Sequence, residues 1–256
     1  MYIADAATHT TCISRKAINI ISQTTKMLDI QFRPLKDQIF NPLSRLIPRS
    51  VTPRTLTLFA FICGIESCYF ALSNYTATSL TFWVLNRALD CLDGAVARHR
   101  NQSSDLGGFF DLLGDFIVYS LIPICCGLSP AAEGGGSGRL VRLWVSVALV
   151  EASFHINNFV LFFVAAVVEK RRAGVVVSEQ KKKSSAAAGR NESEQKIKEL
   201  TSVAMRPALV EGVESGLLFT VMLAVPAWTE WVCWLMAGLV AIGIFQRVFW
   251  LAGVMD

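Results

Sequence analysis

Beyond residue 54 the chain is a succession of long apolar runs separated by short polar stretches. Six of these runs approach the about 20 residues that cross a bilayer as a helix. They are 55–74, 77–97, 107–127, 140–168, 207–227 and 229–253. The second and third carry several charges, so plain hydropathy would score them low. Ahead of them, 34–47 puts Leu35, Ile39, Leu43 and Leu46 on one helical face, with Lys36, Asn41 and Arg45 elsewhere. That pattern predicts an amphipathic helix among lipid headgroups, bent at Pro42. A short helix packed on the bundle is the competing reading of the same face. The predicted fold class is all-α: a polytopic membrane protein, a six-transmembrane-helix bundle with an N-terminal interfacial helix.

Three units follow from this pattern. Residues 1–33 form an N-terminal extension, read as targeting or disordered; 1–27 are polar, but arginine is sparse and Asp5 is present. Residues 34–50 form the interfacial helix, and 51–256 the six-helix membrane domain. Within that domain 173–195, with Lys181, Lys182, Lys183 and the alanines at 186–188, predicts a flexible cytoplasmic insertion. A second flexible loop is expected at 134–138, which is almost all glycine.

Composition supports lipid as the main solvent. Hydrophobic residues make up 53% and charged residues 17%, against about a quarter charged in soluble domains. The net charge of +4 matters less than its placement. Eight basic residues precede the first run, Arg98 and Arg100 separate the second from the third, and a cluster from Lys170 to Arg206 separates the fourth from the fifth. Only Arg139 and Arg142 fall on the other side. The positive-inside rule therefore puts both termini and the two basic loops on the cytoplasmic side or its equivalent. These basic residues sit where the membrane demands them, and nucleic acid is not expected as a partner. Seven cysteines with no C-x-x-C pair, and three histidines, argue against a disulfide framework or a zinc site.

Carboxylates inside spans are expensive and mark function. Asp90 and Asp93 are three residues apart and Asp111 and Asp115 four apart, so each pair shares a helical face. The linker 98–106 is short enough to make the two spans an antiparallel hairpin. Counting from its mouth at about 1.5 Å per residue, Asp90 and Asp115 lie roughly 12 Å deep, Asp93 and Asp111 roughly 6–8 Å. Two tiers of a four-carboxylate box are expected, Asp90 with Asp115 and Asp93 with Asp111. Four ionised carboxylates so close repel; either several are protonated or cations lie among them. Two divalent ions would balance the four charges, and all-oxygen ligation suits Mg²⁺, Mn²⁺ or Ca²⁺. Pairing with Arg87, Arg98 and Arg100 is the structural alternative. Gly94 and Ala97 leave the wall of the box bare, Gly107 does the same at its mouth, and Arg98 is placed to grip a phosphate oxygen; helix packing for the small residues and a positive-inside surface arginine are the competing readings.

Residues 90–115 read D-x-x-D-G-x-x-A-R-x(8)-G-x-x-x-D-x-x-x-D. The chain thereby resembles the CDP-alcohol phosphotransferase family, with no fixed position of its signature altered. The resemblance implies that Asp90, Asp93 and Asp111 hold two divalent cations, Mg²⁺ or Mn²⁺, and that Asp115 is the general base and also touches metal. It implies that Gly94, Ala97, Arg98 and Gly107 line the site for the cytidine diphosphate moiety, together with Asp90. The stretch 52–57 looks like the family's approach to its first span. A homodimer with a cavity open to the cytoplasm is also implied. So is transfer of the phosphatidyl group of CDP-diacylglycerol to an alcohol acceptor with release of CMP.

The acceptor is open: glycerol 3-phosphate is slightly favoured over inositol, inositol phosphate, phosphatidylglycerol or serine. Arg206 and Glu211, opening the fifth span, are candidate acceptor ligands, or else they pair with each other. Glu151 and His155 stand one turn apart and are expected to satisfy each other or a neighbouring helix. Glu66 receives no role. The housing membrane is expected to be endoplasmic reticulum or mitochondrial inner membrane for a eukaryotic chain, plasma membrane for a bacterial one. A transporter is the reading from another class, because buried carboxylates also line ion paths. It leaves the Gly94, Ala97 and Arg98 offsets unexplained.

Overall fold

The structure is a computed structural model that describes residues 28–132, 136–184 and 212–255. Among these residues it is all-helical: α1 (Leu28–Leu46), α2 (Pro53–Leu72), α3 (Thr76–His99), α4 (Asp105–Gly127), α5 (Ser137–Ser184), α6 (Gly212–Ala224) and α7 (Thr229–Met255), with a 3₁₀ turn at Pro226–Trp228 before α7. Among the described residues four segments are long and apolar enough to cross a membrane: Pro53–Leu72, Asp105–Gly127, Ser137–Val167 and Pro226–Ala252. Helix α3 has the length, 24 residues, but carries Arg87, Asp90, Asp93 and Arg98. Helix α6 is described over 13 residues, and the start of the fifth predicted span, 207–211, lies outside the described residues.

Local chemistry fixes where the helices start and turn. Thr52 caps α2, its hydroxyl accepting from the Thr55 amide at 3.3 Å, and Pro53 supplies a first-turn φ at no hydrogen-bond cost. Ser104 caps α4 by accepting from the Gly107 amide at 3.1 Å. The links into α3 and out of it turn through Asn74 (φ 61°) and Asn101 (φ 52°), the residue type that best tolerates the left-handed region after glycine. Both links are therefore short, and α2 packs on both α3 and α4.

Between α2 and α4 the helices nearly touch at Gly64. A Cβ there would stand 2.5 Å from Val118 Cγ2 and 3.1 Å from Asn86 Nδ2. Val118 is fully buried, and Asn86 donates to the Ala60 carbonyl at 2.8 Å. Neither can retreat without breaking packing or a buried hydrogen bond. Gly64→Val is expected to cost about 1–3 kcal/mol, read as a lower unfolding midpoint in detergent. An unchanged midpoint would show that the contact relaxes.

The core runs through Trp83, Val118, Ile122, Cys126, Val150, Phe219, Met222, Cys233 and Met236. Trp83 packs edge-on to Phe219 and donates its indole N–H to Thr220 Oγ1 at 2.8 Å. The outer surface is apolar as well: Phe159, Trp231, Phe245 and Phe249 are all more than 60% exposed. A soluble protein does not expose so much large apolar surface, whereas acyl chains would cover it. At the end of the bundle away from the basic loops, Arg142 Nε pairs with Glu230 Oε1 at 3.2 Å and Arg139 donates to the Ala227 carbonyl. These contacts tie α5 to α7 and engage the two arginines that stand apart from the positive-inside pattern.

Helix α1 runs continuously through Pro34 and Pro42. Phe40 and Ile47 pack with Leu56, Leu92 and Val96, and Ser44 is buried. The predicted apolar face is the one left open: Ile39, Leu43 and Leu46 are exposed. Helix α5 reaches Ser184, so 173–184 continue a helix where a flexible insertion was expected. Residues 185–195, the loop at 133–135 and the N-terminal 1–27 lie outside the described residues.

Candidate active site

The hairpin α3–α4 brings the four aspartates together: Asp90 feels the charge of Asp115 and Asp111 that of Asp93, and a further contact runs across these tiers. Asp90 and Asp111 have their carboxyl groups within hydrogen-bonding reach of each other. Asp115 turns instead to Arg87, whose Nη2 donates to Asp115 Oδ1 at 2.5 Å while Nη1 lies 3.7 Å from Asp90 Oδ2. Asp93 is buried and accepts from Thr57 Oγ1 of α2 at 2.5 Å. Counting depth could not foresee this, because side-chain direction and a third helix decide it.

Arg87 is the hub. Besides Asp115 and Asp90 it donates to Asn86 Oδ1 at 2.8 Å and to Tyr119 Oη at 2.7 Å. Its guanidinium lies over the rings of Trp83 and Tyr119, about 5 Å from each centroid. Only arginine has a planar fork that satisfies so many partners at once. From the sequence alone Arg87 is only an alternative partner for the aspartates, and Tyr119 has no role. A tyrosine four residues beyond Asp115, on the same face, was the available signal.

The mouth of the site is formed by the small residues and Arg98. The Arg98 side chain folds over Gly94, where a Cβ would stand 3.2 Å from Nη1. Arg98 is exposed and Ala97 half-buried. Gly107 spends its amide on the Ser104 cap, so its backbone is fixed at the start of α4. Arg206 and Glu211 lie outside the described residues. Glu66 sits on α2 without a contact that would give it a role. Glu151 contacts Ser120 of α4 rather than His155; its Oε1 is buried without a partner among the described residues, and His155 is exposed.

One further charge escaped the sequence argument. Arg247 of α7 is 6% exposed and donates to Asn157 Oδ1 of α5. Arg247 follows Thr229 by 18 residues, and Asp93 follows Thr76 by 17. At about 1.5 Å per residue both lie some 26–27 Å from the end of the bundle where their helices start. By residue count, the buried arginine lies about as far along α7 as Asp93 lies along α3.

Whether the cluster suits divalent cations can be tested on its donors. Four carboxylates and no thiol or imidazole form the hard-oxygen set that Mg²⁺ and Mn²⁺ prefer. The close Asp90–Asp111 approach calls for a shared proton or cation between them. Among the described residues, however, no three acidic, histidine or cysteine side chains are arranged as a metal site; Asp93 and Asp115 face Thr57 and Arg87. The chemistry of the donor set fits, and the rotamers of two of its members are committed to protein partners.

Fold and site together define a helical integral membrane protein with an acidic cluster held between helices. The family model for CDP-alcohol phosphatidyltransferase matches residues 50–242, and the chain belongs to that family. It is similar to Inner membrane protein YnjF of Escherichia coli, 37% identical over 98 residues, 38% of this chain and 47% of that one. It is also similar to the Archaetidylinositol phosphate synthase of Methanothermobacter thermautotrophicus, 33% identical over 113 residues, 44% of this chain and 54% of the other. The Bifunctional IPC transferase and DIPP synthase of Thermococcus kodakarensis matches at 33% over 86 residues, 34% of this chain and 20% of that protein. The chain spans about half the length of YnjF and of the archaeal synthase.

Proposed function

We propose that the protein transfers the phosphatidyl group of CDP-diacylglycerol to an alcohol and releases CMP. The observation that supports this most is the convergence of Asp90, Asp93, Asp111 and Asp115 on one hairpin, within a matched family signature. Asp90, Asp93 and Asp111 would hold two divalent cations, Mg²⁺ or Mn²⁺, with Asp115 at their edge. Bound there, such ions would draw negative charge from the diphosphate. Arg98, over the bare backbone at Gly94 and Ala97, grips the nucleotide diphosphate, and Gly107 lets it approach α4. The Asp115 carboxylate, oriented by Arg87, accepts the proton of the acceptor hydroxyl. The new O–P bond forms to the phosphorus that carries diacylglycerol, and the bond from that phosphorus to CMP breaks.

In this reading α2 to α7 form a six-helix bundle, with α3 and α6 as its polar and shorter members. Helix α1 lies in the interface and the site opens to the cytoplasmic side. A homodimer is part of the proposal. The acceptor carries its own phosphate: glycerol 3-phosphate or inositol phosphate. The similarity to an archaetidylinositol phosphate synthase and the buried Arg247, about as far along α7 as Asp93 is along α3, support that choice. Arg206 and Glu211 are the other proposed acceptor ligands.

The test is CMP release by purified full-length protein from CDP-diacylglycerol, with glycerol 3-phosphate, inositol phosphate, inositol and serine offered in turn. Release with one phosphorylated acceptor, lost on chelation with EDTA and restored by Mn²⁺ or Mg²⁺, is expected. A transporter would release no CMP with any of them. Activity that survives EDTA would remove the cations from the proposal.

A further inference from the structure

Beside the acidic cluster, at the mouth of the hairpin, lies a separate cavity of about 610 Å³ between the end of α1 and the end of α3. Arg45, Arg49, His99 and Arg100 line it together with Ser44 and Gln102, and no acidic side chain does. Arg100 builds its wall, donating to the carbonyls of Val51 at 2.6 Å, Ile47 at 2.8 Å and Pro48 at 3.1 Å. This pins the 47–51 turn to α3. The guanidinium is thereby spent on structure, while Arg100 still lines the cavity. Arg45, Arg49 and His99 are exposed, and no carboxylate among the described residues forms a salt bridge with either arginine. Three arginines, one of them anchored, with a histidine as a fourth donor, form a site for a phosphate group.

The apolar surroundings show how that phosphate is delivered. Ile39, Leu43 and Leu46 run along the open face of α1, with Leu46 81% exposed. They lead toward Arg45 and the cavity, and a smaller opening lined by Gln38, Asn41 and Pro42 shares Arg45. A free phosphate has no use for that stripe. A phospholipid has: its acyl chains lie along the leucines while its headgroup enters the basic cavity.

We infer that this cavity between α1 and α3 is a binding site for the phosphate headgroup of an anionic phospholipid, distinct from the substrate site. It anchors α1 to the bilayer through charge as well as through apolar contact. The inference stands whether or not the acidic cluster performs the proposed transfer.

Native mass spectrometry of the full chain tests it, with protein taken from neutral detergent micelles containing phosphatidylglycerol and phosphatidylcholine. Wild type should retain phosphatidylglycerol in preference to phosphatidylcholine. Arg45→Gln and Arg49→Gln should each raise the phosphatidylglycerol needed for half occupancy about fivefold, as loss of one interfacial charge does. Lysine at both positions should restore retention, which separates charge from misfolding. Inorganic phosphate at millimolar concentration should leave the lipid bound. Asp115→Asn should retain it like wild type, so that loss of turnover and loss of lipid are read apart. The inference is overturned if the double glutamine variant keeps phosphatidylglycerol as wild type does. It is equally overturned if both lipids are lost in parallel, or if inorganic phosphate displaces the lipid.

Discussion

Asp115→Asn is expected to lower CMP release by about 10²–10⁴-fold, the range lost with a positioned general base. The carboxamide keeps the shape of the side chain, and its oxygen can still accept from Arg87, which holds Asp115 at 2.5 Å. It cannot accept the acceptor's proton. Asp90, Asp93 and Asp111 remain, so affinity for the nucleotide should change by less than about threefold, well under the tenfold that 1.4 kcal/mol represents. Turnover and equilibrium binding of CDP-diacylglycerol, measured on the same preparation, make the comparison. A variant that turns over near the wild-type rate removes Asp115 as the base. One that has lost the nucleotide instead assigns Asp115 to binding.

The part of this site that could be read from the chain is the part that depends on helical spacing. Asp90 to Asp93 and Asp111 to Asp115 share faces because 3.6 residues make a turn, and the short linker after Arg98 makes the hairpin. The structure adds the capping hydroxyl of Ser104 that sets where α4 begins. What could not be read depends on third bodies. Nothing local says that Thr57 of α2 reaches Asp93, or that Arg87 prefers Asp115 to Asp90. Arg247 sits in an apolar run whose hydropathy hides one charge, and only the packing of α5 on α7 shows its Asn157 partner. Residues 173–184 mislead in the opposite direction. Their lysines and small residues resemble a linker, and Gly174 and the valines at 175–177 are weak helix formers, yet α5 continues to Ser184 through Glu179, Gln180 and three lysines, which favour a helix.

Removing Arg87 should be the most damaging change to stability. In Arg87→Met, Asp115 loses its charge partner, Asp90 its nearest cation, and Tyr119 and Asn86 each a hydrogen bond. Breaking one side of a buried pair costs about 3–5 kcal/mol because the remaining charge has no partner. The side chains of Arg87 and Asp115 are about a quarter exposed, and water screens part of that, so the low end of the range applies. Methionine fills most of the volume between Trp83 and Tyr119, so the loss is electrostatic rather than a cavity. The sign of rescue then follows. With Arg87 gone the acidic cluster carries one more uncompensated negative charge, and a divalent cation that binds only the folded state stabilises it in proportion to its affinity. Mn²⁺ should therefore raise the unfolding midpoint of Arg87→Met by more than it raises that of wild type. Arg87→Lys should fall between the two, since an ammonium keeps the charge but not the fork that reaches Asp115, Tyr119 and Asn86 together. Thermal unfolding in detergent with and without Mn²⁺ measures all three. If Mn²⁺ shifts wild type and Arg87→Met equally, the arginine and the cations do not share a field, and the four carboxylates would have to be neutralised by protons instead.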